Sequence, residues 1–188
     1  MTSLAPAPCF SPSDLVAFLT CAHLTSLDRL VAQGALTEPA PSEEERLVAA
    51  KGQAHERAYL AQLAERDAGV AAPPGIAQAG REAAASATLA LMRAGVAVIH
   101  GATLYDGASI GVPDFLVRVE GASALGDWHY EAKDAKLARS TKAATLIQLC
   151  AYSELLERLQ DRAPERMHAI LGDGREESYR CADFMAYY

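Results

Sequence analysis

Aromatic side chains are scarce in this sequence: Phe, Trp and Tyr make up 6% of 188 residues, with a single Trp. A core built on stacked rings is therefore excluded, and since 51% of the residues are still apolar, many of them Ala, thin and closely packed helices are expected. Long hydrophobic runs are missing too. The best window, residues 83–104, is broken by Arg93 and His100, whereas a membrane span needs ~20 nearly uncharged residues, so no membrane partner is expected. Basic residues are outnumbered, 17 Lys and Arg against 24 Asp and Glu, which leaves a net charge of −7. That balance argues against a protein that coats nucleic acid non-specifically, but not against an enzyme that meets phosphate through a bound cation. The first basic residue is Arg29, so the basic region of a secretory signal is lacking and a cytoplasmic location is expected. Four cysteines, Cys9, Cys21, Cys150 and Cys181, show no C-x-x-C spacing and read as reduced thiols rather than a disulfide framework.

What is present suits one domain of ordinary size. Residues 1–10, rich in Pro and Ala, read as a loose leader. Ser11-Pro12-Ser13-Asp14 is a helix start, and Leu15, Phe18, Leu19, Leu24, Leu27, Leu30 and Val31 then recur at helical spacing as far as Gly34. Ser42-Glu43-Glu44-Glu45 caps a second helix to about Asp67, and a third is expected over 76–94, ended by Gly95. Beyond Gly95 the texture changes. Strands are expected over 96–99, 110–119 and 128–136, with hairpin signals at Asp106-Gly107 and over 121–127. A helix over 141 to about 160 carries the stripe Leu146, Leu149, Tyr152, Leu155, Leu156 and Leu159. Short strands at 167–171 and 177–181 follow, then a helix over 183–188 that the chain end cuts short, as in a fragment of a longer chain. The fold class is α/β, a mixed β-sheet flanked by helices. Residues 1–95 form a leader and N-terminal helical lobe and 96–188 a β-β-β-α-β-β core, one structural domain overall.

The strand at 128–136 carries two acid-x-Lys pairs, Glu131/Lys133 and Asp134/Lys136. Alternation puts Trp128, Tyr130, Ala132, Asp134 and Lys136 on one face, which starts apolar and ends in a carboxylate and an amine. His129, Glu131 and Lys133 share the other, polar throughout and so expected to face solvent. Asp134/Lys136 is the preferred pair; a surface ion pair is the alternative for either. Asp114 lies in the otherwise apolar run Ile110-Gly111-Val112-Pro113-Asp114-Phe115-Leu116-Val117, where a carboxylate wants a partner or a metal, or else bonds a turn backbone. Pro113 suggests a bulge just before it. Asp114 and Asp134 stand on strands joined by a hairpin-length connection, so both can reach one point and hold a hard divalent cation. On the second helix His55 clusters with Val48, Gly52 and Tyr59 on the inward side, with Glu56 as the rival acid about 100° away. Gln148 and Tyr152, at i and i+4, share a helix face. Lys133, Lys136, Arg139 and Lys142 make the most basic stretch, where a phosphate backbone could dock.

Taken in order, Lys51-Gly52-Gln53-Ala54-His55-Glu56, Gly111-Val112-Pro113-Asp114, Asp134-Ala135-Lys136 and Gln148-Leu149-Cys150-Ala151-Tyr152 resemble the motifs of the RecB-like branch of the PD-(D/E)XK nucleases. Phe10-Ser11-Pro12-Ser13-Asp14-Leu15 and the phrase Tyr130-Glu131-Ala132-Lys133-Asp134-Ala135-Lys136-Leu137-Ala138 are similar to one subgroup, whose members are often the N-terminal part of chains carrying an RNase H-like region or a helicase. The resemblance spans roughly residues 10–188. It implies a restriction-endonuclease-like core and a metal-dependent nuclease acting on DNA, single-stranded or at duplex ends, in repair, recombination or processing. It implies Mg²⁺ or Mn²⁺ held by His55, Asp114, Asp134 and the carbonyl of Ala135. Lys136 would orient the attacking water and stabilise developing charge. Gln148 and Tyr152 would position Lys136 and the strand, and Arg139 and Lys142 would contact nucleic acid. Some relatives carry an iron–sulfur cluster on four cysteines; only Cys181 follows the Gln148/Tyr152 helix, so no cluster is expected. The alternative is a catalytically weak nucleic-acid-binding accessory module of a helicase–nuclease chain. A third option is a plain α/β interaction module with surface ion pairs.

Overall fold

The computed structural model describes residues 9–66 and 69–188. Two capping boxes start the N-terminal helices. The Ser11 hydroxyl accepts the Asp14 N–H while the Asp14 carboxylate accepts the Ser11 N–H, opening α1 (Pro12–Thr20). Ser42 and Glu45 do the same for α3 (Glu43–Glu65). The single helix expected from Ser11 to Gly34 is broken at Cys21, which is extended, so that α2 (Ala22–Ala32) runs separately. The helix expected over 76–94 is also broken. Gly80, at φ +81°, divides α4 (Ile76–Ala79) from α5 (Arg81–Arg93), because a left-handed residue cannot continue the helix. Asp67, the expected end of the second helix, lies outside the described residues.

The main sheet has six strands in the order β1-β2-β5-β6-β7-β8. β1 (Val70–Ala71), a strand that no sequence signal announces, pairs in parallel with β2 (Val98–His100). β3 (Leu104–Tyr105) and β4 (Ile110–Gly111) form a separate antiparallel ladder around the Asp106-Gly107 turn. β5 (Phe115–Ser123) and β6 (Gly126–Ala135) are an antiparallel hairpin, with a bulge between Glu120 and Ser123. After α6 (Ala143–Gln160) the chain returns as β7 (Arg166–Ile170), parallel to β6, and β8 (Glu176–Arg180) closes the edge. In place of the helix expected over 183–188 there is one turn of 3-10 helix, Cys181–Asp183.

The strand expected over 110–119 is two strands. Val112-Pro113-Asp114 lies between β4 and β5, and Pro113, lacking an N–H, cannot carry a ladder through. Helices cover both faces of the sheet. α5 and α6 bury Met92, Leu149, Tyr152, Leu155 and Leu156 against Leu116, Tyr130 and Ala132, while Leu63 of α3 packs with Phe115, Val98 and Ile170 on the other side. Gln160, fully buried at the end of α6, accepts the Tyr130 N–H at 2.8 Å and donates to its carbonyl at 3.2 Å, taking the place of a strand beyond the short β6–β7 ladder. Among the described residues no helix is long and apolar enough to cross a membrane.

Candidate active site

The start of β5 and the end of β6 meet at one edge of the hairpin, where Phe115 pairs with Lys133. That register brings Asp114 beside the Asp134-Ala135-Lys136 segment. Asp114 Oδ2 accepts the Ala135 N–H at 2.7 Å, and the Asp114 carbonyl accepts the Gly101 N–H at 2.8 Å, which fixes the break after Pro113. Asp134 is only 2% exposed. The Lys136 ammonium makes an ion pair with Asp134 Oδ2 but off any hydrogen-bond direction, and this buried oxygen has no hydrogen-bond donor among the described residues.

The electrostatics bear out the proximity. Burial and then the charge of Asp134 push the Asp114 carboxyl up to about 7, against the pull of the Ala135 N–H and the Lys136 ammonium. Burial likewise raises Asp134, opposed mainly by Lys136. A buried carboxyl whose affinity for a proton is raised by a neighbouring carboxylate also favours a dication.

Gly111-Val112 serves the neighbouring helix. A Cβ on Gly111 would stand 2.8 Å from the Tyr152 ring, so only glycine lets that ring lie against the chain there. The Tyr152 hydroxyl donates to the Val112 carbonyl at 3.2 Å and accepts from Gln148 Nε2 at 2.7 Å, so the two i, i+4 side chains do share a face. Burial, and after it the charges of Asp134 and Asp114, hold the Tyr152 hydroxyl well above the ordinary tyrosine range.

α3 crosses the same end of the sheet from the opposite face. His55 Nε2 lies 3.4 Å from the Ile170 carbonyl, which also accepts the Lys136 N–H at 2.8 Å. No hydrogen bond brings His55 to either aspartate. Glu56 is the group on α3 whose charge acts on both Asp114 and Asp134, and His100 Nε2 holds its Oε1 at 2.6 Å. His100 was not singled out from the sequence. The available signal was its position, one residue beyond the apolar run Val96-Ala97-Val98-Ile99 and paired with Phe115, hence at the strand end where Asp114 sits.

A cavity of about 340 Å³ opens beside Lys136 and Gln148, with Ala144 and Thr145 of α6 on that wall and Ser13, Val16 and Ala17 of α1 opposite. Arg139 and Lys142 are exposed on the connection from β6 to α6, and the Arg139 carbonyl accepts from Arg175 Nη2 at 3.0 Å, which adds a third guanidinium or ammonium to that rim. A more apolar cavity of about 330 Å³ lies elsewhere, bordered by Phe10, Leu15, Phe18 and Leu155. Its acids are already committed, Asp14 to Ser11 and Glu154 to Tyr188 and Arg158, so the chemistry belongs to the cavity at Lys136.

The polar face of β6 is not solvated, contrary to the expectation from alternation. His129 and Glu131 are 2% and 4% exposed, and Lys133 is half-buried. Glu131 accepts from His168 Nε2 at 2.9 Å and from the Arg166 N–H at 2.8 Å, and Lys133 pairs with Glu176 at 2.6 Å. The face is polar because its partners on β7 and β8 are charged, not because water covers it.

The residues fit a divalent cation in one coordination style. Asp114 approaches the Asp134-Ala135 segment and Asp134 Oδ2 is held by the Lys136 ammonium, but among the described residues no three His, Cys, Asp or Glu side chains gather closely enough to hold an ion alone. Such a set suits Mg²⁺ or Mn²⁺ bound through one or two carboxylates, with a backbone carbonyl, water and phosphate oxygens completing the shell. The chain matches no family model, and no curated protein matches it.

Proposed function

We propose that the chain is a metal-dependent nuclease that hydrolyses DNA phosphodiester bonds, with a restriction-endonuclease-like core of the RecB-like PD-(D/E)XK kind. The observation that carries this reading is the approach of Asp114 to the Asp134-Ala135-Lys136 segment across adjacent antiparallel strands, with Lys136 and Gln148 at one cavity and Tyr152 bonded to Gln148. Of the four motifs supplied by sequence, the last three support the reading through the Asp114–Ala135, Lys136–Asp134 and Tyr152–Val112 contacts, while His55 of the first contacts the Ile170 carbonyl instead. The strand would lie in the cavity between α1 and α6, its phosphates meeting Lys136, Arg139 and Lys142. Attachment to a helicase or an RNase H-like region, a role in repair or recombination, and a cytoplasmic location belong to the same proposal.

Asp114, Asp134 and the Ala135 carbonyl would hold Mg²⁺ or Mn²⁺, with His55 as a ligand only if its ring leaves the Ile170 carbonyl. The ion supplies acidification of a water molecule and neutralisation of phosphate charge. Lys136 would donate to a non-bridging phosphate oxygen and stabilise the charge that develops there. Gln148 fixes the Tyr152 hydroxyl, which in turn holds the Val112 carbonyl just before Asp114. No iron–sulfur cluster is part of the proposal. Cys21 is exposed at the α1–α2 junction, while Cys150 and Cys181 are buried beside α6.

Single-turnover cleavage of end-labelled single- and double-stranded DNA tests the reading, with metal binding followed separately by calorimetry. Cleavage with Mn²⁺ at least equal to that with Mg²⁺, and none in chelator, is expected. Lys136→Ala should spare metal affinity and lower the rate by about 10²-fold or more. An unchanged rate in Lys136→Ala removes the nuclease assignment. The accessory-module reading is favoured by the lack of a three-side-chain ligand group among the described residues. DNA binding without metal-dependent cleavage would select it.

A further inference from the structure

The charged network on the α3 side of the sheet has no part in the proposed chemistry, yet it connects to the helix that carries His55 and Glu56. His168, on β7, stands between two carboxylates. Its Nε2 is 2.9 Å from Glu131 Oε2 of β6, and its Nδ1 is 3.2 Å from Glu176 Oε1 of β8. The second contact is at ion-pair distance but not aligned for a hydrogen bond. Lys133 of β6 shares Glu176 Oε1 at 2.6 Å, and the other Glu176 oxygen accepts the Tyr59 hydroxyl of α3 at 3.1 Å. His168 and Glu131 are 9% and 4% exposed. With His168 protonated the set Glu131, Glu176, Lys133 and His168 is neutral; with His168 neutral it holds one uncompensated negative charge beside the buried Glu131.

α3 depends on this anchor more than its length suggests. Its first two turns are exposed, including Leu47 and Val48, and Leu63 is its one buried residue. Its side-chain hydrogen bonds to the rest of the described residues are His55 to Ile170, Glu56 to His100 and Tyr59 to Glu176. Tyr59 also sets its ring edge-on to Phe115 at 5.1 Å.

We infer that His168 is a protonation-dependent strut: as an imidazolium bridging Glu131 and Glu176, it holds Glu176 where Tyr59 docks, and so holds α3, with His55 and Glu56, over the carboxylate end of the sheet. Burial alone would strip the proton from His168; the hydrogen bond to Glu131 and the close Glu176 carboxylate outweigh burial and the nearby Lys133 ammonium, and raise its affinity for the proton. Glu176 is correspondingly held down at about 2, by His168 first and by Lys133 as well. The other groups facing this position are His129 on β6, Arg166 on β7 and Arg66 near Tyr59 on α3. Because the docked state has the raised pKa, docking is strongest below the ordinary histidine value of about 6.5 and weakens as pH rises towards the raised value, then levels off.

The inference is independent of the nuclease reading, and so is its test. NMR titration of the unmodified protein should give His168 a pKa above 6.5. Amide protection factors along residues 52–63 should fall by up to tenfold per pH unit across that window, while those of β5 and β6 stay level. His168→Gln, which retains the bond to Glu131 but not the charge, should show low protection in α3 at every pH. A His168 pKa at or below 6.5, or the same pH dependence of α3 in His168→Gln as in the unmodified protein, overturns the inference. Should DNA cleavage prove absent while these shifts appear, the strut stands and the nuclease reading falls.

Discussion

At Asp114 one carboxyl group carries two opposed demands. Held at about 7 by burial and by Asp134, it keeps its proton where an unfolded aspartate, near 3.9, has lost it. The folded chain therefore binds more protons between those values, and stability falls as pH rises through that window, with the loss complete above about 7. Asp114→Asn should accordingly stabilise the metal-free chain at pH 8, by up to about 4 kcal/mol at ~1.4 kcal/mol per pH unit across that window, read from urea unfolding. The same proton competes with a cation, so Mn²⁺ affinity measured by calorimetry should drop by up to tenfold per pH unit below about 7 and be lost in Asp134→Ala. Glu131 answers differently. Glu131→Gln should leave Mn²⁺ binding in place, whereas Glu131→Ala, which strands His168 beside an empty site, should cost about 3–5 kcal/mol of stability as a broken buried pair. Loss of Mn²⁺ binding in Glu131→Gln, with retention in Asp134→Ala, would show that the wrong acid-x-Lys pair was chosen.

Between elements, close backbone approach decides how well Lys136 is placed. A Cβ on Gly172 would run into the Leu137 carbonyl, and the Gly172 N–H donates to the Ala138 carbonyl at 3.0 Å. The turn after β7 thus braces the residues just after Lys136. Gly172→Ala should displace that brace, costing about 1–3 kcal/mol as overpacking against backbone that cannot rotate away, with the larger effect on cleavage rate than on metal affinity. Much of this level was legible beforehand: the run of strands after Gly95, the Asp106-Gly107 hairpin, the long α6 and the face shared by Gln148 and Tyr152. Three features were not. β1 is two residues long and held by one parallel neighbour, too short to impose alternation on a sequence. The breaks at Cys21 and Gly80 fall inside unbroken helical periodicity, so pattern alone joined what local backbone angles separate. The His129-Glu131-Lys133 face is indistinguishable from a solvated one in a single strand, since its partners His168 and Glu176 come from β7 and β8, 35 or more residues on.

Over the whole molecule the charge is −7, so attraction to a polyanion must be local. Lys136 at the cavity and the exposed Arg139 and Lys142 on the connection from β6 to α6 form the local patch. Three phosphate contacts predict a slope of log affinity against log salt of about −2 for single-stranded DNA, at ~0.7 per contact. Fluorescence anisotropy across a salt series should return that shallow slope, and Arg139→Ala or Lys142→Ala should each flatten it by about 0.7 without altering base preference. A steep slope, or one indifferent to both substitutions, would move the nucleic-acid path elsewhere on the surface.

The Ile170 carbonyl, which receives the Lys136 N–H and faces His55, also places the site in time. A ribosome makes this chain N-terminus first, at about 5–20 residues per second. Asp114 and Asp134 can pair as soon as their hairpin emerges, and α3 can already pack on Val98 and Phe115, but the Lys136 N–H and the His55 ring have no partner at Ile170 until β7 has been made and has crossed back alongside β6. A nascent chain that stops short of residue 170 therefore carries both acids and no finished centre, and whatever chemistry the centre performs is withheld until β7 has been made.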